Sequence, residues 1–115
     1  MNHPLIHLLA YLFAYSTAQL IPSIQYIENK GVVIRYFTSS QIIEYIIEPF
    51  QLRIRDPKTG KKIGSRNEGD YKSVKPVHFD YKGNYGVAIN WSDGFYEDIF
   101  PYEILKMIAE ESSSK

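Results

Sequence analysis

The 115-residue chain contains no cysteine. That excludes a disulfide framework, a thiol nucleophile, a Cys-bearing zinc site and an iron–sulfur cluster held by the chain's own thiolates. Surplus charge is lacking as well, because 13 basic side chains stand against 13 acidic ones. A general nucleic-acid binder needs excess positive charge to displace counterions from phosphate, so no nucleic-acid partner is expected. Histidine is scarce. His3 and His7 are four apart, as helical metal ligands can be, but no third ligand accompanies them, and His78 has no recognisable partner carboxylate or nucleophile. Gly60-Lys61-Lys62 lacks the earlier glycine and the following Ser or Thr of a phosphate loop. The expectation is one non-catalytic domain with no cofactor, since a chain this short builds a single modest core.

Long apolar runs are also missing. The stretch LIHLLAYLFA at residues 5–14 is about half the length that spans a bilayer, so no stable membrane span is expected in the mature chain. Ser16-Thr17-Ala18 places small residues before Gln19, and residues 1–18 read as a signal peptide or leader cleaved after Ala18. The preceding MNHP carries no Lys or Arg, and Leu5, Leu8, Leu9 and Leu12 fall at helical spacing, so an amphipathic helix packed on the domain is the alternative. A real leader implies the secretory pathway or a plastid-type organelle, and its absence implies a soluble intracellular protein. The domain proper is expected over residues 19–111, with a disordered tail at 112–115.

Beyond Gln19 the pattern alternates. Val32, Ile34 and Tyr36 share one face of a strand, Val77, Phe79 and Tyr81 of another, and Val87, Ile89 and Trp91 of a third. Asp93-Gly94 suits a two-residue type I′ hairpin turn, predicting that Gly86–Trp91 pairs with residues 95–100. Pro101 then opens a helix with Glu103 near its positive end and Ile104, Leu105 and Ile108 as its buried stripe.

The two halves resemble each other. GVVIRY from Gly31 aligns with GVAINW from Gly86 at an offset of 55, and Ile46-Ile47, Leu52 and Arg53 align with Ile99-Phe100, Leu105 and Lys106 at an offset of 53. The change of two fits a shorter turn in the second copy. The predicted fold is α+β and mainly β: small antiparallel sheets from two pseudo-repeated β-hairpin units, each followed by a short helix or helical turn. One hairpin cannot bury its apolar face alone, so the second supplies the cover.

Charge is balanced in total but not along the chain. Residues 53–66 hold six basic side chains and one acid, and residues 93–111 hold six acids and one base. Pro57, Gly60 and Gly64 mark the basic stretch as a loop whose side chains should be exposed, either simply solvated or docking an acidic partner. The candidate interaction residues are Arg53, Arg55, Lys58, Lys61 and Lys62, together with Trp91, Asp93 and Phe95 at the later turn.

The stretch from Val74 to Ile108 resembles the gamma-butyrobetaine hydroxylase-like N-terminal domain. The features that carry the likeness are Gly83, Asn84-Tyr85, the strand at 87–90, the Trp91-Ser92-Asp93-Gly94 turn and the helix at 102–108. LRIRDPKTGK from Leu52 is similar to an upstream family segment, so the resemblance covers roughly residues 22–108. It implies two contexts. In 2-oxoglutarate-dependent oxygenases such a domain precedes the catalytic barrel and binds zinc through cysteines and a histidine just after the Asp-Gly. Here cysteine is absent and Phe95 stands at the histidine's place, so zinc is not carried over. The other context is a plastid scaffold ATPase that assembles iron–sulfur clusters, which Asp93-Gly94-Phe95 followed by Pro101-Tyr102-Glu103 resembles more closely. The resemblance therefore implies a protein partner from an iron–sulfur assembly or oxygenase system.

Overall fold

Val32 and Ile34, expected on one face of a strand, are buried together with Val87 and Ile89 in a single core drawn from both halves of the chain. In the computed structural model, residues 21–113 apart from Glu97 are described, so the expected leader and the last two residues of the expected tail lie outside the described residues. Among these described residues two three-stranded antiparallel sheets are present. Sheet 1 comprises β1 (Ser23–Ile27), β2 (Gly31–Phe37) and β3 (Ile42–Ile47), with β2 central. A short helix α1 (Pro49–Arg53) follows, started by a proline whose fixed φ suits the first helical turn. After the basic segment and a one-turn helix α2 (Glu68–Tyr71) come β4 (Pro76–Lys82), β5 (Gly86–Trp91) and β6 (Ile99–Pro101), forming sheet 2 with β5 central. Helix α3 (Tyr102–Ser113) closes the fold and runs through Ser112 and Ser113, where a frayed tail was expected.

The repeat is therefore one strand longer per half than the hairpins predicted. β1 pairs Ile24 with Ile34, and β4 pairs Phe79 with Ile89, so each half is a three-stranded meander followed by a helix or a helical turn. Each inner sheet face enters the common core, which Leu105, Ile108 and Ala109 of α3 and Leu52 of α1 complete, all with no exposed surface. Burying apolar area at roughly 25 cal/mol per Å² is what holds the two small sheets together, since neither would be stable alone.

Two local departures have identifiable causes. Val77 falls at a register shift between Pro76 and His78, so it does not share the inner face with Phe79 and is 65% exposed. An inserted residue at such a bulge is left unpaired and turned away from the ladder. At the Asp93-Gly94 turn, Gly94 has φ 93° whereas Asp93 lacks a positive φ, and the bonds run from the Gly94 N–H to the Trp91 carbonyl and from the Trp91 N–H to the Phe95 carbonyl. This is a three-residue loop closed by a glycine in place of the expected two-residue turn. The chain then leaves the ladder, and the third strand resumes only at Ile99.

Tyrosine hydroxyls join elements that strands do not. Tyr81 donates to the Pro22 carbonyl at 3.1 Å and accepts the Ile24 N–H at 3.0 Å, tying β4 to the free edge of β1. Tyr102 donates to the Gly83 carbonyl at 2.9 Å, and the Tyr36 ring packs edge-on to Tyr45 at 6.1 Å. Burial, with the nearby Tyr45 and Glu110 charges, pushes the Tyr36 hydroxyl's pKa well above its ordinary value. Replacing Tyr81 by phenylalanine keeps the ring and strips both bonds of their partner. The expected loss is about 1–1.5 kcal/mol, read as a melting midpoint roughly 4–8 °C lower.

Candidate functional site

The basic segment starts at the end of α1, where Arg53 points inward. Its Nη2 and Nε donate to Asp93 Oδ2 at 2.9 and 3.2 Å, and its guanidinium carbon lies 4.7 Å from the Tyr71 ring centroid and 4.2 Å from that of Phe95. A flat guanidinium forks to a carboxylate and stacks on rings in the same pose, which a lysine cannot do. Arg66 reinforces the cluster by donating to the Arg53 carbonyl at 2.9 Å, lying 5.1 Å from the Phe95 ring centroid and pairing with Asp98 at 3.7 Å. Burial raises the Asp98 carboxyl above its ordinary pKa against the pull of Arg66 and Arg53. Burial also pushes Asp93 upward, but the Arg53 hydrogen bond, the Phe95 N–H and the Arg53 charge outweigh it and hold that carboxyl below its ordinary value.

Arg55 is the second inward cation. Its Nη1 donates to the Gly60 carbonyl and to Glu111 Oε1, each at 2.8 Å, and its Nη2 donates to Gln51 Oε1 at 3.3 Å. These bonds brace a tight turn. The Asp56 N–H reaches the Lys61 carbonyl, the Gly60 N–H reaches the Asp56 carbonyl, and Arg55 bridges Lys62 across the base. Gly60 sits against α3 with φ 79°, and a Cβ there would lie 2.7 Å from Met107 Cε.

The eight candidate residues are thus sorted by the fold. Lys58, Lys61 and Lys62 are exposed on the outside of this braced turn. Arg53 and Arg55, expected at the surface with the rest of the basic loop, are only 6% and 9% exposed and hold the loop to the second half of the chain. Trp91 is a core side chain, Phe95 is half-buried beneath Arg53, and Asp93 serves as the acceptor for Arg53. The structure therefore brings Arg53, Asp93 and Phe95 together across 40 residues of sequence and leaves the three lysines as a separate outward patch. Asp98, Arg66 and Tyr71 belong to the arginine cluster and were missed by sequence reasoning. The available signal was the division of bases within the segment, with arginines at its ends and lysines in its turn.

A second feature is a groove of about 420 Å³ between the free edges of β1 and β4, lined by Ile24, Tyr26, Val77, His78, Phe79 and Tyr81 among others. Among the described residues, no group of three or more His, Cys, Asp or Glu side chains is placed to hold a metal ion. No helix among them is long and apolar enough to cross a membrane.

Residues 51–106 match the family described as "Gamma-butyrobetaine hydroxylase-like, N-terminal". The matched stretch is just under half of the chain, running from within α1 through the braced turn and sheet 2 into α3, while sheet 1 precedes it. No curated protein and no solved structure matches the chain.

Proposed function

We propose, from the match of residues 51–106 to the gamma-butyrobetaine hydroxylase-like N-terminal family, that this is a non-catalytic accessory domain that binds a protein partner through the braced basic turn. The observation that carries this reading is the sorting of charge inside the matched stretch. The arginines are consumed in holding the turn against the fold, while Lys58, Lys61 and Lys62 are presented outward on it. A rigid turn carrying ammonium groups costs little conformational entropy to dock, and clustered positive charge steers and orients an acidic surface. The partner is an acidic face of a protein in an oxygenase system, the context from which the family takes its name. Assistance to iron–sulfur assembly is the second reading, favoured by Asp93-Gly94-Phe95 followed by Pro101-Tyr102-Glu103.

The test is affinity capture from the native compartment with the wild-type chain and with Lys58→Glu/Lys61→Glu/Lys62→Glu. The triple variant should lose the captured protein while melting at the wild-type midpoint, because exposed surface charges contribute little to stability. Recovery of an oxygenase supports the first context and recovery of cluster-assembly proteins the second. Equal capture by both chains would reject the basic turn as the docking surface.

A further inference from the structure

The edge of a sheet offers backbone N–H and C=O groups to any strand that comes alongside, and native edges are blunted against this. Three of the four edges formed by the described residues are blunted. On β1 the Ile24 N–H is taken by the Tyr81 hydroxyl at 3.0 Å. β4 starts at Pro76, shifts register between Pro76 and His78, and carries Asp80 paired with Lys82 at 2.9 Å. β6 is three residues long and ends on Pro101. The fourth edge is β3, with the sequence IIEYII, which pairs with β2 in unbroken register and contains no Pro, Gly or Lys. Among the described residues no strand lies beyond it. The Thr38 N–H donates to the Gln41 carbonyl at 2.9 Å, so the hydrogen-bonded pairs of the ladder continue as Tyr36 with Ile43 and Ile34 with Tyr45. Ile42, Glu44 and Ile46 therefore direct their N–H and C=O groups away from β2. Their side chains alternate with Tyr45 and Ile47, which pack in the core, and Ile42 and Ile46 are 61% and 40% exposed.

We propose that the free edge of β3 takes up an extended strand of a protein partner in which a Lys or Arg stands between two apolar residues at alternate positions. Backbone hydrogen bonds to Ile42, Glu44 and Ile46 hold such a strand, and the three side chains select it. Charge complementarity fixes its centre. Glu44 lies between the solvent side of the edge and Arg35 of β2, whose Nε donates to Glu44 Oε1 at 2.7 Å. A cation on the added strand makes the row across three strands alternate in sign, and opposite charges on neighbouring strands stabilise where like charges destabilise. Ile42 and Ile46 lie two residues to either side of Glu44 and suit apolar neighbours on the added strand. The same rule counts against a second copy of this chain. In an antiparallel pair of β3 strands, the register that sets Ile42 against Ile46 also sets Glu44 against Glu44, and the adjacent hydrogen-bonded registers set Glu44 against an isoleucine. No residue of the basic turn takes part, so this docking site stands or falls apart from the one proposed there.

The probe is a fluorescein-labelled peptide, Ser-Val-Thr-Lys-Thr-Val-Ser, titrated with the full chain and read by fluorescence anisotropy. The same peptide with Glu in place of Lys should bind at least about tenfold more weakly. Methylating the backbone nitrogen of the central Lys removes a bond to Glu44 and should abolish binding, whereas methylating that of a neighbouring Thr, which points away from β3, should spare it. Glu44→Lys should invert the preference so that the Glu peptide binds more tightly than the Lys peptide. That variant should melt near the wild-type midpoint, because an exposed ion pair contributes little to stability. Failure of both peptides to bind the wild-type chain at about 1 mM would overturn the proposal. So would equal binding of the two methylated peptides, or a charge preference that Glu44→Lys leaves unchanged. A dimer of the full chain in sedimentation that Ile42→Lys dissolves would assign the edge to a second copy and overturn it as well.

Discussion

Replacing Gly86 by alanine is expected to cost about 3–5 kcal/mol and to lower the melting midpoint by at least about 12 °C. The added Cβ would overlap the Phe100 carbonyl oxygen and come within 2.7 Å of the Phe100 carbonyl carbon and 2.9 Å of Pro101 Cα. All three are backbone atoms, so no side chain can turn aside, and β5 must part from β6. Among the described residues β6 pairs with β5 alone, and it carries fully buried Phe100 into the core, so parting the strands also loosens the entry to α3. The equivalent position in the first half, Gly31, faces the Ile47 carbonyl oxygen in the same way, with a Cβ at 2.7 Å, and its φ of 125° adds strain. Gly31→Ala should therefore behave similarly. Gly69, in the one-turn helix α2, has open space around it, and Gly69→Ala should leave stability unchanged or slightly raised. Thermal melts of the three variants check this. Gly86→Ala melting with Gly69→Ala would show that β5 and β6 do not pack as closely as described.

The glycine equivalence also shows what could be read from the chain. The alignment of Gly31 with Gly86 and of Ile47 with Phe100 has a counterpart in the fold, where each glycine lies against the carbonyl of the aligned residue, because close strand approach demands glycine and leaves a sequence mark. Strong alternation marked β2 and β5, and the Leu105–Ile108 stripe marked α3. β1 escaped because Ser23–Ile27 is only five residues long and lacks a turn signal as strong as Asp93-Gly94. The inward arginines escaped for a different reason. Arg53 meets Asp93 across 40 residues and Arg55 meets Glu111 across 56, so nothing local distinguishes them from the solvated lysines beside them. Composition reports the charge of a loop, whereas burial depends on which distant carboxylate the fold delivers. The free edge of β3 was likewise invisible until register showed that Ile42, Glu44 and Ile46 share a side.

Arg53→Ala is the second large effect, an expected loss of about 2–4 kcal/mol from one buried ion-pair partner and two ring contacts. The side chain is 7% exposed while that of Asp93 is 31% exposed, so the stranded carboxylate can recover part of its hydration, which keeps the cost below that of a fully buried pair. Arg53→Lys should recover little, since an ammonium cannot fork to Asp93 Oδ2 and lie flat on Tyr71 and Phe95 together. A double-mutant cycle with Asp93→Asn isolates the pair, and a coupling near zero would mean that the ring contacts alone hold Arg53. The pH dependence carries the sign of the pair. Asp93 has a folded pKa below its unfolded value of 3.8, so its stabilisation is fully present above that value and is lost as pH falls through the folded pKa. Asp98, raised by burial, titrates in the opposite sense, so the comparison is made in an Asp98→Asn background. There the Arg53-containing protein should lose stability on acidification below the ordinary carboxylate range, and the Arg53→Ala protein should show a flatter curve. Parallel curves would separate the Asp93 carboxylate from Arg53 and leave the turn braced by Arg55 and Arg66 alone.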